Sequence, residues 1–245
     1  MKVLLTILLS VLTLANGSHE HDIINLYKHN FRGDGTYYGV GSSGTCSYTP
    51  PDLPPVAKNH AITDYVALNS PQFFGSLACG MCFTVNGTGH GLGNDPINGQ
   101  HIVFVKDLCP ECHAGSVDFA KNGDGRWGIS IRAIQCPVGN TPIEYKFQGS
   151  NDYYLKLQVR NARIPATKVE MRQQDNHYAS FQHTTDGFWT MGAGFDKPVR
   201  YPIHLRLTAA NGDTVLDTIH MNHIQNEVVL HGSGKQFSLD RNLPH

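Results

Sequence analysis

The chain has 245 residues, 16% of them charged, and a formal net charge of −1 at pH 7. This balance offers no basic excess for nucleic acid, so we expect no nucleic-acid partner. Its 14 histidines are neutral at pH 7 and become charged near pH 6. Either histidine is simply frequent here, or an acidic compartment makes the protein cationic and favours anionic polysaccharides.

Residues 1–17 have the pattern of a secretory signal peptide. Lys2 precedes an apolar run from Val3 to Leu14, and small residues follow up to Gly17. The run is too short to span a bilayer, and no later stretch reaches about 18 apolar residues. We therefore expect a secreted, extracellular protein with no membrane contact after signal cleavage.

Period-2 alternation of apolar residues dominates the rest of the chain and predicts an all-β protein. Strands are predicted at His101–Val105, Gly128–Gln135, Tyr153–Arg160, Thr167–Arg172, Ile203–Leu207, Asp213–His220 and Glu227–Leu230. Asn211-Gly212 predicts a two-residue hairpin between two of them. Ala57–Leu68 is the best candidate for a helix, and it is short.

The six cysteines all lie between residues 46 and 136. In an exported protein this distribution favours disulfides in a first domain and none in a second, although spacing alone does not choose the pairing. The turn residues of 137–142 mark the boundary. We predict a domain over residues 22–137, a linker over 138–141 and a second domain over 142–240.

The stretch from Cys109 to His113 reads C-x-x-C-H and allows several interpretations. A c-type haem would use His113 as a ligand, but such domains are usually helical. The motif together with Cys79 and Cys82 also has the spacing of a zinc site, which export disfavours. A redox C-x-x-C normally sits in a βαβ pattern, which is missing here. Structural disulfides are favoured, so we expect no metal and no cofactor.

Asp107 and Asp118 bracket this motif. A pair of carboxylates can hydrolyse a glycosidic bond, whereas isolated aspartates near turns are usually inert. Asn86-Gly87-Thr88 is an N-glycosylation acceptor, expected on a turn. Arg32-Gly33-Asp34 spells an adhesion tripeptide that also occurs often by chance.

Six short motifs, in order along the mature chain, resemble those of expansins and expansin-like proteins. They are Thr36–Gly39, Ala61–Phe74, Ala78–Cys82, Asp107–Glu111, Val117–Ala120 and the pair Tyr153-Tyr154 followed by Leu157–Asn161. The resemblance implies a six-stranded double-psi β-barrel, similar to family-45 endoglucanases, followed by an immunoglobulin-like β-sandwich. It also implies the disulfides Cys46–Cys79, Cys82–Cys136 and Cys109–Cys112.

By the same resemblance, the protein binds cell-wall polysaccharide, cellulose or a related glucan, and loosens it without hydrolysis. Asp118 matches the general acid of the related glucanases, and Thr36, Tyr38 and Asp107 match other residues of the same groove. The catalytic base of those glucanases has no acidic counterpart in Gly39–Ser42. An endoglucanase or lytic transglycosylase that uses Asp118 and Asp107 stays open as an alternative, as does a lectin-like wall-binding protein. We expect a monomer.

The second domain is expected to bind glucan by stacking aromatic rings on the apolar faces of sugars. Tyr153 and Tyr154 stand where the family pattern has tryptophans. A third aromatic is missing near Thr184, and Phe188 or Trp189 is the expected substitute, with core packing as the alternative for Trp189. Lys156 and Arg160 either bind sugar hydroxyls or, as is usual for long cations on a strand, are solvated.

Overall fold

The computed structural model describes residues 19–41, 44–50, 52–195 and 197–245. The predicted signal peptide, residues 1–17, lies outside these ranges. A helix, α1, covers residues 19–28, and strands dominate the remaining elements. No helix in the described ranges is long and apolar enough to cross a membrane.

Six strands of the described chain close into a barrel. They are β1 (Phe31–Tyr37), β2 (Asp64–Asn69), β3 (Cys82–Leu92), β4 (Asn98–Cys109), β5 (Val117–Phe119) and β6 (Arg126–Ile134). Around the barrel the order is β1-β5-β2-β4-β3-β6, with β1 parallel to β5 and β2 parallel to β4. Helix α2 (Ser70–Phe73) and a 3-10 turn (Phe74–Ser76) follow β2. Alternate residues such as Phe83 and Val85 of β3 are completely buried, as expected for side chains that face a barrel interior.

The prediction of a helix over Ala57–Leu68 is wrong. A 3-10 helix, Pro55–Lys58, is followed by extended backbone and strand β2. Because β2 lies between β4 and β5, its residues Val66, Ala67 and Leu68 are buried in succession. A continuous apolar run of this kind cannot be told from a buried helix by periodicity alone.

Eight further strands follow β6 in the described chain. They are β7 (Glu144–Phe147), β8 (Lys156–Arg160), β9 (Ala166–Arg172), β10 (Tyr178–His183), β11 (Trp189–Met191), β12 (Ile203–Ala209), β13 (Thr214–Ile219) and β14 (Val229–His231). Their order is β13-β12-β9-β10-β11-β8-β7-β14. The first half of β10 pairs with β9 and the second half with β11, so both halves of the sheet share this strand.

A buried hydrogen bond shows that this sheet folds back on itself. β7 and β13 stand far apart in the strand order, yet the Tyr145 hydroxyl of β7 donates to Asp217 Oδ2 of β13 at 2.7 Å. The two halves therefore face each other as a sandwich. The predicted all-β class, a six-stranded barrel followed by a β-sandwich, is confirmed.

The hairpin predicted at Asn211-Gly212 connects β12 and β13. Gly212 has a φ of 86°, a conformation that glycine adopts without steric cost. The N–H of Ala209 donates to the carbonyl of Asp213 across the turn at 2.8 Å. The hairpin is therefore confirmed, but its loop covers residues 210–213 and not the two residues predicted.

Helix α1, which the sequence analysis did not predict, contacts both parts of the molecule. Ile23, Leu26 and Tyr27 are buried at helical spacing. Arg132 Nε of β6 donates to the carbonyl of Tyr27 at 2.7 Å, and Thr167 of β9 contacts the Glu20 carboxylate at 3.0 Å. The helix therefore lies against the barrel and the sandwich at once.

The described residues include all six cysteines, and these form three disulfides. The pairs are Cys46–Cys79, Cys82–Cys136 and Cys109–Cys112, the same pairs that the resemblance implies. Each thiol of the two C-x-x-C motifs is used in a disulfide, so neither a haem nor a zinc ion finds free thiolate ligands there. The predicted linker, 138–141, falls between β6 and β7, and the domain limits stay a prediction.

Strand β8 joins the sandwich to the barrel, which corrects the expectation that Arg160 is solvated. Gln158 is completely buried and its Nε2 donates to the Cys46 carbonyl at 2.8 Å. The Arg160 guanidinium lies 5.4 Å from the Tyr48 ring centroid, and its Nε is 3.9 Å from Glu144 Oε2. The polar face of this strand packs on the barrel instead of facing water.

We expect Arg160→Ala to lower the free energy of unfolding by about 3 kcal/mol, because it removes the fully buried cation beside the Glu144 carboxylate. Urea unfolding at neutral pH measures the loss. Arg241→Ala, at an exposed position, is the matched control and should stay within about 0.5 kcal/mol of the native protein. A loss below about 1 kcal/mol for Arg160→Ala would contradict the assigned role of this ion pair.

Candidate functional site

Asp118 and Thr36 meet on neighbouring parallel strands of the barrel. Thr36 of β1 lies in register with Asp118 of β5. The Thr36 hydroxyl donates to Asp118 Oδ1 at 2.8 Å. This contact fixes one carboxylate oxygen of a half-buried aspartate and leaves the other available to a ligand.

The surroundings of Asp118 favour its protonated form. Burial raises the pKa of the Asp118 carboxyl and the negative charge of Glu111 raises it further, against lowering by the Thr36 hydrogen bond and by Arg126. The net shift is upward. Asp118 therefore keeps its proton to a higher pH than an ordinary aspartate, and the protonated carboxyl can donate a hydrogen bond.

Asp107 lies two strands from Asp118 in the same row of the barrel. Ala67 of β2 is in register with Asp107 on one side and with Asp118 on the other. Neighbouring strands are about 4.8 Å apart, so the two backbones are separated by about 10 Å. Asp107 Oδ1 accepts from the N–H groups of Thr45 and Leu108, at 2.6 and 2.8 Å. These bonds make Asp107 an anchor for the loop that contains Thr45.

Tyr38 completes the group expected in the barrel. Its hydroxyl is buried and lacks a hydrogen-bond partner of ordinary geometry among the described residues. Burial raises the pKa of Tyr38, and the carboxylates of Asp107 and Asp118 raise it further. The hydroxyl therefore stays neutral beside two acids and offers a donor to Asp107 or to a polar ligand.

Glu111, the last residue of the Asp107–Glu111 motif, also lies beside Asp118, although the motif alone does not indicate this position. Its carboxylate lies within 4.8 Å of an Asp118 oxygen and of the Cys109 sulfur. The disulfide Cys109–Cys112 closes the short loop that bears it. The sulfur in this trio is a disulfide sulfur, so the cluster lacks a thiolate for a metal. Its proximity to Asp118 depends on the loop closure and cannot be read from spacing.

His113, Arg126 and Asp34 complete the rim of the small cavity at Asp118, which has a volume of about 70 Å³. Arg126 donates to Asp34 Oδ2 at 2.8 Å. The His113 ring lies 3.3 Å from the Ser116 hydroxyl. Asp34 of the adhesion-like tripeptide is therefore in a strand and in an ion pair, and His113 contacts protein groups.

Tyr153 and Tyr154 lie on a turn just before β8. Their exposed fractions are 75% and 41%. The N–H of Asn151 donates to the Tyr154 carbonyl at 2.8 Å, and Asn151 Oδ1 accepts from the Tyr153 N–H at 2.8 Å. Because β8 starts only at Lys156, strand alternation does not turn Tyr153 inward. Both rings are open to solvent.

Trp189 does not extend this pair, and the expectation that it stacks on polysaccharide needs correction. Its side chain is only 6% exposed, and its ring lies 4.6 Å from that of His183. Burial lowers the pKa of His183 to about 4, so this ring is neutral at ordinary pH. Phe188, the other expected substitute, is 1% exposed and lies under Lys156 Nζ at 4.6 Å. Both aromatics belong to the packed interior.

Asn86 is exposed within strand β3, in register with Gln100 of β4 and Ser130 of β6. The expectation that this acceptor lies on a turn is wrong, because β3 is a long strand of 11 residues. Glycosylation of Asn86 stays a prediction.

The chain is similar to two curated expansins. It is 27% identical over 213 residues to Expansin-YoaJ of Bacillus subtilis, covering 79% of each chain. It is 23% identical over 199 residues to Expansin-like protein 3 of Dictyostelium discoideum, covering 75% of this chain and 54% of that protein. No protein-family model matches the chain.

Two solved structures of Clavibacter michiganensis expansin share its fold. The apo structure has a TM-score of 0.67 and 23% identity, and the match covers 87% of this chain and all of that one. An aspartate-to-asparagine variant in complex with cellohexaose has a TM-score of 0.67 and 24% identity, with the same coverage. The resemblance to expansins predicted from the motifs is confirmed by these matches.

We expect Asp118→Asn to become more stable relative to the native protein as pH rises. The folded state raises the pKa of Asp118, so it binds the proton more tightly than the unfolded chain does. Native stability is then lost as pH rises from the ordinary aspartate value, about 3.9, through the raised value. Asparagine cannot ionise and avoids this loss. Urea unfolding between pH 3 and 7 measures the difference, and a difference that does not vary with pH would contradict the shift.

Proposed function

We propose that this expansin-like chain is a secreted, monomeric protein that binds cellulose or a related wall glucan and loosens it without hydrolysis. The observation that carries the proposal is the pairing of two surfaces. The barrel presents a row of polar groups around Asp118, and the sandwich presents the exposed rings of Tyr153 and Tyr154. The expansin complex with cellohexaose supports glucan as the ligand class.

The two tyrosines supply the apolar contact. A glucose ring has C–H groups on its faces, and an aromatic ring covers such a face at low entropic cost. An exposed fraction of 75% at Tyr153 leaves nearly the whole ring free for this contact. Stacking on the two rings provides affinity with little dependence on the exact sugar hydroxyls.

The barrel row supplies directional hydrogen bonds. Protonated Asp118 and neutral Tyr38 are donors, and the free carboxylate oxygens are acceptors. Glucan chains in a wall are held together by hydrogen bonds between their own hydroxyl groups. A groove that forms hydrogen bonds with these hydroxyl groups competes with the contacts between chains. Because the Asp118 donor depends on a proton, this competition weakens as pH rises.

The distance between Glu111 and Asp118 disfavours an inverting mechanism that uses these two acids. An inverting glycosidase needs its two carboxyl groups about 6.5–9.5 Å apart, with room for a water molecule. Glu111 and Asp118 have oxygens within 4.8 Å of each other, which is too close for that water. Asp107 Oδ1 accepts from two backbone N–H groups, which hold this carboxylate in place. These contacts support a role for the acids in binding glucan.

We expect Tyr153→Ala and Tyr154→Ala each to weaken binding to insoluble cellulose about fivefold, since each removes a stacking contact of about 1 kcal/mol. A pull-down isotherm measures the change. Tyr178→Ala is the matched control, because Tyr178 packs beside Arg206 at 4.2 Å on the part of β10 paired with β9. Unchanged binding in both tyrosine variants would remove the proposed stacking surface.

Asp118→Ala is expected to cut wall extension to below about a tenth of the native rate while cellulose pull-down stays within about twofold, because it removes the donor but not the stacking rings. Asp175→Ala, an exposed aspartate of the sandwich, is the control. Sugar release is measured in the same tubes. Sustained release of reducing ends by the native protein would favour the endoglucanase or lytic transglycosylase alternative, and binding without extension the lectin-like one.

A further inference from the structure

The turn Phe74–Ser76 has an unusual backbone. Phe74, Gly75 and Ser76 have φ values of 49°, 59° and 85°. Glycine adopts this left-handed region freely, whereas phenylalanine and serine are disfavoured there. Such residues persist only where their surroundings hold them in place. The contacts of Ser76 identify what holds them.

Ser76 reaches from the barrel into the sandwich. Its side chain is buried, with 1% exposed. The hydroxyl donates to the Thr184 carbonyl at 2.8 Å and accepts from the Gly187 N–H at 2.9 Å. The hydroxyl thus both donates to and accepts from the backbone of the turn between β10 and β11.

The other end of the same segment is tied to the Asp118 groove. Asn69 Nδ2 donates to the Ser116 carbonyl at 2.9 Å, and the Gly115 N–H donates to Gln72 Oε1 at 2.8 Å. Ser116 stands two residues before Asp118 on the same chain segment. Residues 69–76 therefore run from the groove to the sandwich with buried hydrogen bonds at both ends.

The β10–β11 turn also contacts the start of β8, which follows the turn that bears the exposed tyrosines. Asp186 of this turn accepts from Lys156 Nζ at 2.6 Å, which shows that Lys156 is in an ion pair and not simply solvated. The Lys156 N–H donates to the Ser150 hydroxyl at 2.8 Å. Lys156 and Ser150 flank the turn that bears Tyr153 and Tyr154. A continuous set of polar contacts connects the groove with the rings.

We propose that Ser76 is a positioning residue that holds the tyrosine pair in register with the Asp118 groove, so that one glucan chain contacts both. This inference rests on the proposed function and specifies its ligand as an extended glucan long enough to reach both surfaces. Loss of the Ser76 hydroxyl removes two hydrogen bonds between the β10–β11 turn and the barrel, which loosens the turn and weakens the binding of long chains. A short oligosaccharide contacts one surface and does not depend on Ser76.

The test is the dependence of affinity on chain length, measured by calorimetry with cello-oligosaccharides of increasing length up to cellohexaose. The native protein should show a step in affinity at the length that reaches both surfaces. Ser76→Ala should lose about tenfold at and beyond that step and change less than about twofold below it. Ser180→Ala, an exposed serine on β10, makes the same chemical change and should keep the step.

The variant Ser76→Gly distinguishes the effect of losing the hydroxyl from the effect of backbone strain. Glycine accepts a φ of 85° without strain, so this variant should unfold at no lower urea concentration than Ser76→Ala. Equal loss of the step in both variants supports the hydroxyl as the cause. A native step retained in either variant, or binding without any step, overturns the inference. Absence of binding by the native protein at every length and to cellulose would instead defeat the proposed function.

Discussion

Arg160 is a cation that the fold removes from water, and the way it is accommodated sets the arrangement of the whole molecule. Its guanidinium lies on Tyr48 and beside Glu144, while Gln158 on the same strand face binds the Cys46 carbonyl. These contacts are satisfied only when the sandwich sits directly on the barrel. Burial of a charge is tolerable only with such partners, so alternative arrangements of the two halves are penalised. The extended surface discussed above follows from that single arrangement.

In the proposed function, the groove around Asp118 acts through neutral donors. Burial favours the protonated carboxyl of Asp118 and the neutral phenol of Tyr38, and β2 spaces Asp118 from Asp107 in one row of the barrel. Glucan carries no charge, so donors and acceptors match it better than an ion would.

Local patterns in the sequence predicted what depends on local physics. The alternation in Ile203–Leu207 and the Asn211-Gly212 turn predicted β12 and its hairpin, because side-chain period and turn chemistry act over a few residues. The failures involve long-range packing. The apolar run of β2 resembles a buried helix because the barrel covers the strand on both sides, and α1 adjoins the predicted signal peptide in the sequence.

The residues of the candidate site could likewise be predicted only in part. Resemblance placed Thr36 and Asp118 in one groove, and the parallel register of β1 and β5 brings them into contact. Nothing local distinguishes Trp189, which is buried, from Tyr153, which is not. Likewise, Glu111 reaches Asp118 only through loop closure, and Ser76 acquires its role only when two distant segments meet.

The three disulfides affect the two halves of the molecule differently. All of them lie within residues 46–136, so the crosslinks restrict the unfolded barrel and leave the unfolded sandwich unconstrained. Reduction of the disulfides thus enlarges the unfolded ensemble of the barrel alone. The stability of the barrel therefore depends on redox conditions, whereas that of the sandwich depends on the burial of its core.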